Sequence, residues 1–425
     1  MMDDDVVVVG GGLAGCLTAL AAARTRSNVS VGLVTRAETT LEQASGLIDV
    51  LGYTPDGEGP IADPFEVLTD LPPAHPYSTV GVEAVREGLA LFDEATGERY
   101  AGDDTDRNAL VPTYGGRVKP TSRYPRSVEP GLASRRESTT VIGFEQVSGF
   151  YAPLASERLG EILPYRVDGL MIEFPRDVGG GADPVDTSPI ECARTLDDNA
   201  TDDSETVREG IVDSLEYYLD RKKRAGFPAV LGLTETESIR EMLTEELGLP
   251  IFEVPMGPPS VPGRRLQSML GEALSEAGVR VLTGASVVDV DASDGAVDRV
   301  RLDGDHEPYE ASQFVLATGG LTGGGIRSDR EEIREPVFGC HVDAPPDRYD
   351  WFEDDAFGAH QFARFGVSTD DDMRPLSDDG DPEYRNLRAA GSVLGGYDFA
   401  AEKSGSGVSI ATGYAAGTWA ADDVA

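Results

Sequence analysis

Val6-Val7-Val8-Val9-Gly10-Gly11-Gly12-Leu13-Ala14-Gly15 decides the fold of this 425-residue chain. Consecutive β-branched residues read as a buried strand, and the glycines after them fit G-x-G-x-x-G. A helical segment follows, and a second apolar run, Val29 to Val34, completes a strand–turn–helix–strand unit. In such a βαβ unit Gly10 permits the tight turn, Gly12 lets a phosphate approach the backbone, and Gly15 lets the helix pack on the strand. The helix end, at Leu13 and Ala14, offers N–H groups and a positive dipole end to that phosphate. The motif alone is weak, but its place between strand and helix at the N-terminus predicts a nucleotide or flavin site. The competing account is a glycine turn kept only for packing.

One position departs from the pattern. The residue closing the second strand is expected to be Asp or Glu, which holds an adenosine ribose by its hydroxyls. Here Leu33-Val34 is followed by Thr35-Arg36, with no carboxylate before Glu38. The usual adenosine partner is therefore missing for both NAD and FAD. Arg36 suits a 2′-phosphate, which leaves NADP open, whereas a mononucleotide such as FMN needs no ribose carboxylate. A solvated loop arginine is the plain alternative.

Acidic residues outnumber basic ones 76 to 36, for a net charge of −40, and lysine occurs only at positions 119, 222, 223 and 403. Such a chain repels itself in dilute buffer; at molar salt the Debye length falls to about 3 Å and the repulsion is screened. The composition reads as the surface of a protein from a salt-rich cytoplasm, and it speaks against binding nucleic acid or anionic lipid directly. With 40% hydrophobic residues the chain has material for a core. Cys16, Cys192 and Cys340 form no C-x-x-C, so nothing points to a redox disulfide or an iron–sulfur cluster. His75, His306, His341 and His360 show no metal-ligand spacing, and no metal is expected. No apolar run reaches membrane-spanning length and Met1-Met2-Asp3-Asp4-Asp5 is no signal peptide, so a cytoplasmic chain is expected, with any membrane contact made through a partner.

Further along, helical spacing covers Val80 to Thr96, Thr206 to Arg224, Glu235 to Leu247 and Arg264 to Gly278; strand-like patterns cover Thr140 to Phe150, Tyr165 to Phe174 and Ala229 to Leu233. Residues 176 to 206 are acidic and glycine-rich and read as a linker. After the Arg264 helix come Val279 to Gly284, Ser286 to Asp291, Asp298 to Leu302 and Gln313 to Thr318, a strand and then a β-meander. The last ends in Ala317-Thr318-Gly319-Gly320, small residues that would lie beside a ligand. Ala389-Ala390-Gly391-Ser392 is a second strand-to-glycine turn, and Ser404-Gly405-Ser406-Gly407-Val408 opens a C-terminal helix. The N–H groups of Gly407 and Val408 would face the N1–C2=O edge of a flavin, where a positive dipole end stabilises the anion.

The expected fold is α/β: a Rossmann-like flavin-binding domain, with a parallel sheet plus a β-meander, carrying an inserted second α+β domain. The flavin-binding parts are 1–52, 258–330 and 386–425; 53–257 is the inserted substrate or cap domain, and 331–385 is associated with it.

These segments look like the flavoprotein class of the fumarate reductase and aspartate oxidase flavin subunits. Several stretches resemble the B-subunit family of anaerobic glycerol-3-phosphate dehydrogenase: Thr35-Arg36, Ser45-Gly46 with Asp49-Val50-Leu51, Pro112-Thr113 and Lys119-Pro120-Thr121, Gly143-Phe144 with Phe150 to Leu159, Pro258 to Gly263 with Arg265-Leu266-Gln267, and Gly391 to Asp398. The resemblance spans nearly the whole chain. It implies non-covalent FMN held at Gly10, Gly12, Leu13, Ala14, Gly15, Thr35, Arg36, Ser45, Gly46, Thr318, Gly319, Gly320, Gly391, Ser392, Gly407 and Val408. It also implies a complex with a catalytic partner flavin subunit and an iron–sulfur membrane-anchor subunit, at the cytoplasmic face of the membrane. The implied reaction is oxidation of sn-glycerol 3-phosphate to dihydroxyacetone phosphate, with electrons passed toward quinone.

Such chemistry needs a base for the hydroxyl proton, a flavin to accept hydride, and cations for the phosphate. Lys119, in a glycine- and proline-rich loop with Arg117, is the candidate substrate-phosphate ligand. No residue stands out as the base; His341 is a candidate with a structural role as its alternative, and Arg264 and Arg265 read as solvated residues. Two other functions compete: a stand-alone fumarate, succinate or aspartate-oxidase-like flavoenzyme, and a non-catalytic assembly subunit. The former usually attaches flavin to a histidine near the first domain, and no histidine precedes His75.

Overall fold

A computed structural model describes residues 2–36, 40–175, 188–198, 202–220, 223–330, 332–356 and 358–424. Glu38 and much of the 176–206 linker lie outside the described residues. In chain order, β1 (Met2–Val9), α1 (Leu13–Thr25) and β2 (Val31–Thr35) precede α2 (Pro76–Thr96), which is interrupted at Gly81. Next come β3 (Tyr100–Ala101), β4 (Ala109–Pro112), β5 (Val118–Thr121), β6 (Tyr124–Pro125), β7 (Thr139–Phe144), α3 (Ala152–Ile162), β8 (Val167–Ile172), α4 (Pro189–Asp197), α5 (Asp202–Leu215), β9 (Arg224–Pro228), α6 (Thr236–Leu247) and β10 (Ile251–Val254). The chain continues through α7 (Val261–Glu276), β11 (Arg280–Thr283), β12 (Val287–Ser293), β13 (Ala296–Leu302), β14 (Tyr309–Leu316), β15 (Arg327–Ser328), β16 (Ile333–Arg334), β17 (Leu387–Ala389), α8 (Phe399–Glu402) and α9 (Gly405–Asp422).

The chain divides into two compact units, one of Met1–Thr40, Asp49–Gly97 and Met269–Ala425, the other of Leu41–Ile48 and Glu98–Ser268. These bounds differ from the expected ones for a packing reason. Residues 53–97 join the first unit because α2 lies on α9, with Gly88 backed against Ile410. Residues 331–385 join it too, since Phe338, Phe365, Val367 and Met373 are part of its core. Residues 41–48 and 258–268 belong to the second unit, where Ser260 Oγ donates to the Ala44 carbonyl at 2.6 Å.

In the first unit β11, β2, β1 and β14 lie side by side, all parallel. Val6, Val7 and Val8 are fully buried in the central strand, each worth about 1.5–3 kcal/mol. The far edge of β14 is shared. Its first half pairs antiparallel with β13, which pairs with β12 as the predicted meander, and its second half pairs parallel with β17. Buried Asn386 bridges that fork: its Nδ2 donates to the carbonyls of Val297 (2.8 Å) and Ser312 (3.1 Å), and its Oδ1 accepts from the Val297 N–H at 2.8 Å. α1 and α9 pack on each other at close range, because Cβ atoms on Gly413 and Gly417 of α9 would stand 2.6 and 2.2 Å from the carbonyls of Ala14 and Thr18 of α1.

The second unit has a four-stranded parallel sheet, β10-β9-β7-β8, at its centre, with short antiparallel hairpins beside it. Here two expectations shift. α5 ends at Leu215, short of Arg224, and the strand expected at Ala229 to Leu233 is Arg224–Pro228 instead. Residues 229–232 are buried but turn, and carboxylates take some of the backbone N–H groups here. Glu253 accepts from the Leu231 N–H at 2.9 Å, and Asp197 accepts from Leu233, Thr234 and Glu235 at 2.6, 3.1 and 3.0 Å.

The charge of −40 on this frame sets an expected salt response. Raising KCl from dilute to molar should lift the unfolding midpoint by about 10 °C or more, a few kcal/mol of relieved repulsion at about 2–4 °C per kcal/mol. A midpoint that ignores salt in a thermal scan would deny the acidic surface that role.

Candidate functional site

The C-terminal ends of β2, β1, β14 and β17 lie side by side, the edge at which open parallel sheets take ligands. The first turn is tightly built. Gly10 has φ +119°, and a Cβ there would stand 2.2 Å from the Ala317 carbonyl oxygen. Gly15 backs onto the Gly10 carbonyl, and Gly11 onto Thr35. Gly12 is the exception: a Cβ at this position meets nothing within 4 Å. It is also the N-cap of α1 and provides no capping side chain, so the first-turn N–H groups of Leu13 and its neighbours point out of the helix end into that space.

The other strand ends close around this turn. Thr318 Oγ1 is buried without a hydrogen-bond partner. Gly319 has φ +87°, and the Gly320 N–H donates to Ser392 Oγ at 3.1 Å, tying the end of β14 to the end of β17. Gly391 presses on Ala14 and donates its N–H to Thr412 Oγ1 at 2.9 Å. Thr35 Oγ1 donates to the Arg36 carbonyl at 3.1 Å, and Arg36 Nη2 donates to the Gly323 carbonyl at 3.2 Å. An open glycine cradle at an uncapped helix end suits the phosphate of a flavin, and an orphaned hydroxyl beside it suits a polar ligand atom.

Gly10, Gly12, Leu13, Ala14, Gly15, Thr35, Arg36, Thr318, Gly319, Gly320, Gly391 and Ser392 are thus brought to one edge of one sheet. Gly407 and Val408 are placed differently from the expectation of N–H groups facing a ligand. The Gly407 N–H donates to the Asp49 carbonyl at 2.7 Å, and that of Val408 donates to the Ser404 carbonyl at 2.9 Å. The start of α9 is built against residues 49–50, with Ser406 Oγ accepting from the Asp49 N–H at 2.7 Å. Ser45, Gly46 and Lys119 belong to the second unit. There the Gly46 carbonyl accepts from the Tyr100 hydroxyl at 2.8 Å, and Lys119 lies half-buried on β5, opposite Val111 of β4.

Candidates outside that edge are engaged otherwise. His341 is partly exposed, with Nε2 3.8 Å from Asp378 Oδ1. Arg265 is not solvated: its guanidinium pairs with buried Glu253 at 2.6 and 2.9 Å. Cys16 is buried in α1 and burial pushes its thiol up to about 12, which keeps it neutral and unreactive. Nothing in the sequence marks the buried pair of His75 and Glu402, 327 residues apart. His75 Nδ1 accepts from the Tyr77 N–H at 3.1 Å, so Nε2 carries the proton that it donates to Glu402 Oε2 at 3.1 Å. Among the described residues no group of His, Cys, Asp and Glu could hold a metal, and no helix is long and apolar enough to cross a membrane.

Comparison with known proteins gives the family of the chain. Residues 5–408 match the FAD binding domain family. The chain is 50% identical over 430 residues, 100% of this chain and 99% of the relative, to a probable anaerobic glycerol-3-phosphate dehydrogenase B-subunit of Halobacterium salinarum. It is 28% identical to the anaerobic glycerol-3-phosphate dehydrogenase B-subunit of Vibrio cholerae, over 97% of this chain and 95% of that one. Among solved structures, a flavocytochrome c3 fumarate reductase aligns over 100% of this chain and 79% of its own at 11% identity, with a TM-score of 0.46. The cofactor of this oxidoreductase is a flavin. The chain belongs to the B-subunit family of anaerobic glycerol-3-phosphate dehydrogenase, within the flavoproteins built on the FAD binding domain.

Proposed function

We propose that this chain is the FMN-containing subunit of a glycerol-3-phosphate dehydrogenase complex, which oxidises sn-glycerol 3-phosphate to dihydroxyacetone phosphate and passes the electrons toward quinone. The observation that carries this is 50% identity along the whole chain to a relative named as the B-subunit of that enzyme. Thr35 supports FMN over FAD, since the strand end that normally offers a ribose carboxylate offers a hydroxyl bonded to its own neighbour's carbonyl. Gly10, Gly12, Leu13, Ala14 and Gly15 would cradle the phosphate. Thr35, Arg36, Thr318, Gly319, Gly320, Gly391 and Ser392 would enclose the rest of the site. Bound there, a flavin supplies the hydride acceptor that alcohol oxidation needs. Lys119 would hold the substrate's phosphate.

The chain works with a catalytic partner flavin subunit and an iron–sulfur anchor subunit, which hold it at the cytoplasmic face of the membrane. The isolated chain is expected to retain flavin but to oxidise glycerol 3-phosphate slowly or not at all. Adding the catalytic partner should restore dye reduction, and quinone reduction should need the iron–sulfur anchor. Lys119→Ala should lower flavin occupancy or substrate affinity while leaving the fold intact. Full turnover by the isolated chain in a dye-reduction assay would refute this division of labour.

A further inference from the structure

Arg36 links the end of β2 to the segment after β14. In the sheet β1 lies between β2 and β14, with Val9 paired to Val34 on one side and to Leu316 on the other. Arg36 follows the end of β2, yet its guanidinium bonds to Gly323, beyond the end of β14. Adjacent strands lie about 4.8 Å apart, so this contact spans about two strand spacings and carries the side chain past the end of β1. The end of β1 is the Gly10–Gly12 turn, where Gly12 opens onto free space. The guanidinium and the N-terminal end of α1 are therefore set on two sides of one opening. Gly323 takes one of the guanidinium's N–H groups, and among the described residues no carboxylate pairs with Arg36.

We propose that Arg36 is the specificity residue of this site: it grips the terminal phosphomonoester of a flavin mononucleotide and closes the side along which a dinucleotide would continue to its adenosine. The inference rests on the assignment of FMN made above. A phosphomonoester carries about −1.5 to −2 charges at neutral pH, whereas a helix end supplies only about half a positive charge. A guanidinium supplies the remainder and can donate in bidentate fashion to phosphate oxygens. A pyrophosphate carries less charge per phosphate, and its adenosine would have to leave along β2. There it would meet the Arg36–Gly323 bridge, and at Thr35 it would find no carboxylate for the ribose.

The test titrates flavin-free full chain in molar KCl with FMN, riboflavin and FAD separately, following flavin fluorescence, for wild type, Arg36→Gln and Thr35→Glu. Wild type is expected to bind FMN at least about tenfold more tightly than riboflavin or FAD. Arg36→Gln should weaken FMN by about 10- to 100-fold, the worth of a hydrogen bond to a charged group, and leave riboflavin nearly unchanged. Thr35→Glu should weaken FMN by charge repulsion and narrow the gap to FAD. Arg36 is exposed, so its replacement should leave the melting midpoint in place. If wild type prefers FAD, the mononucleotide assignment falls and Arg36's role with it. If wild type prefers FMN but Arg36→Gln weakens FMN and riboflavin equally, or neither, the assignment stands and the role of Arg36 is refuted.

Discussion

Gly12→Val should abolish flavin retention and leave the protein folded. The expectation follows from the contrast within one turn. A Cβ added at Gly12 meets no protein atom within 4 Å, so the fold has room there, and φ −75° suits any residue. What the valine would fill is the space at the helix end that the proposed site gives to the phosphate. A steric cost of about 3 kcal/mol already removes about 100-fold in affinity, and the N–H groups behind the side chain are screened as well. Gly10→Ala and Gly15→Ala act on the fold instead, because their methyl groups would stand 2.2 and 1.7 Å from backbone carbonyl oxygens. Absorbance at flavin and protein wavelengths, with a melting curve for each variant, separates the cases. A Gly12→Val protein with full flavin content would place the cofactor elsewhere.

Arg224→Met should cost the second unit about 1–3 kcal/mol of stability, the range for leaving a buried hydrogen-bonding group without its partner. Arg224 is 1% exposed, and among the described residues no carboxylate forms an ion pair with it. Its charge is held by neutral groups. Nε donates to Thr139 Oγ1 at 2.9 Å, Nη1 to the carbonyls of Pro130 and Leu132 at 2.6 and 3.0 Å, and Nη2 to the Tyr165 hydroxyl at 2.9 Å. The rings of Tyr165 and Phe252 lie 5.3 and 5.5 Å from its guanidinium carbon. Burial presses its pKa below the ordinary guanidinium value, yet these acceptors keep it charged. Methionine keeps the volume and leaves the carbonyls unpaired inside the protein. Denaturant unfolding in molar salt reads the loss; a change under about 1 kcal/mol would mean that the guanidinium's own burial cost cancels its bonds.

Arg224 also shows where sequence patterns lose their hold. A charged residue after Tyr217, Tyr218 and Leu219 reads as the polar end of a helix, because sequence does not reveal that neutral acceptors from residues 130, 132, 139 and 165 converge on it. The strand expected at 229–233 fails for the same reason: carboxylates of Asp197 and Glu253 stand in for a neighbouring strand. By contrast, β1, α1, β2 and the meander were legible, since each has an unbroken apolar run and glycine where the chain must turn. The candidate site divides along the same line. The shared place of the strand-end residues at one sheet edge was legible because each follows an apolar run and sits in a glycine turn. Gly407 was misread because a helix N-terminus looks free until a partner such as the Asp49 carbonyl is found, far away along the chain. The His75–Glu402 pair had no local signal at all.

A mononucleotide flavin held at the C-terminal edge of the first sheet is the central claim. Chain purified in molar KCl and denatured with acid should release flavin that co-elutes with FMN, about one per chain by absorbance, with none left on the polypeptide. Stoichiometric FAD would contradict the reading of Thr35 and Arg36, and a chain purified without flavin would contradict the site.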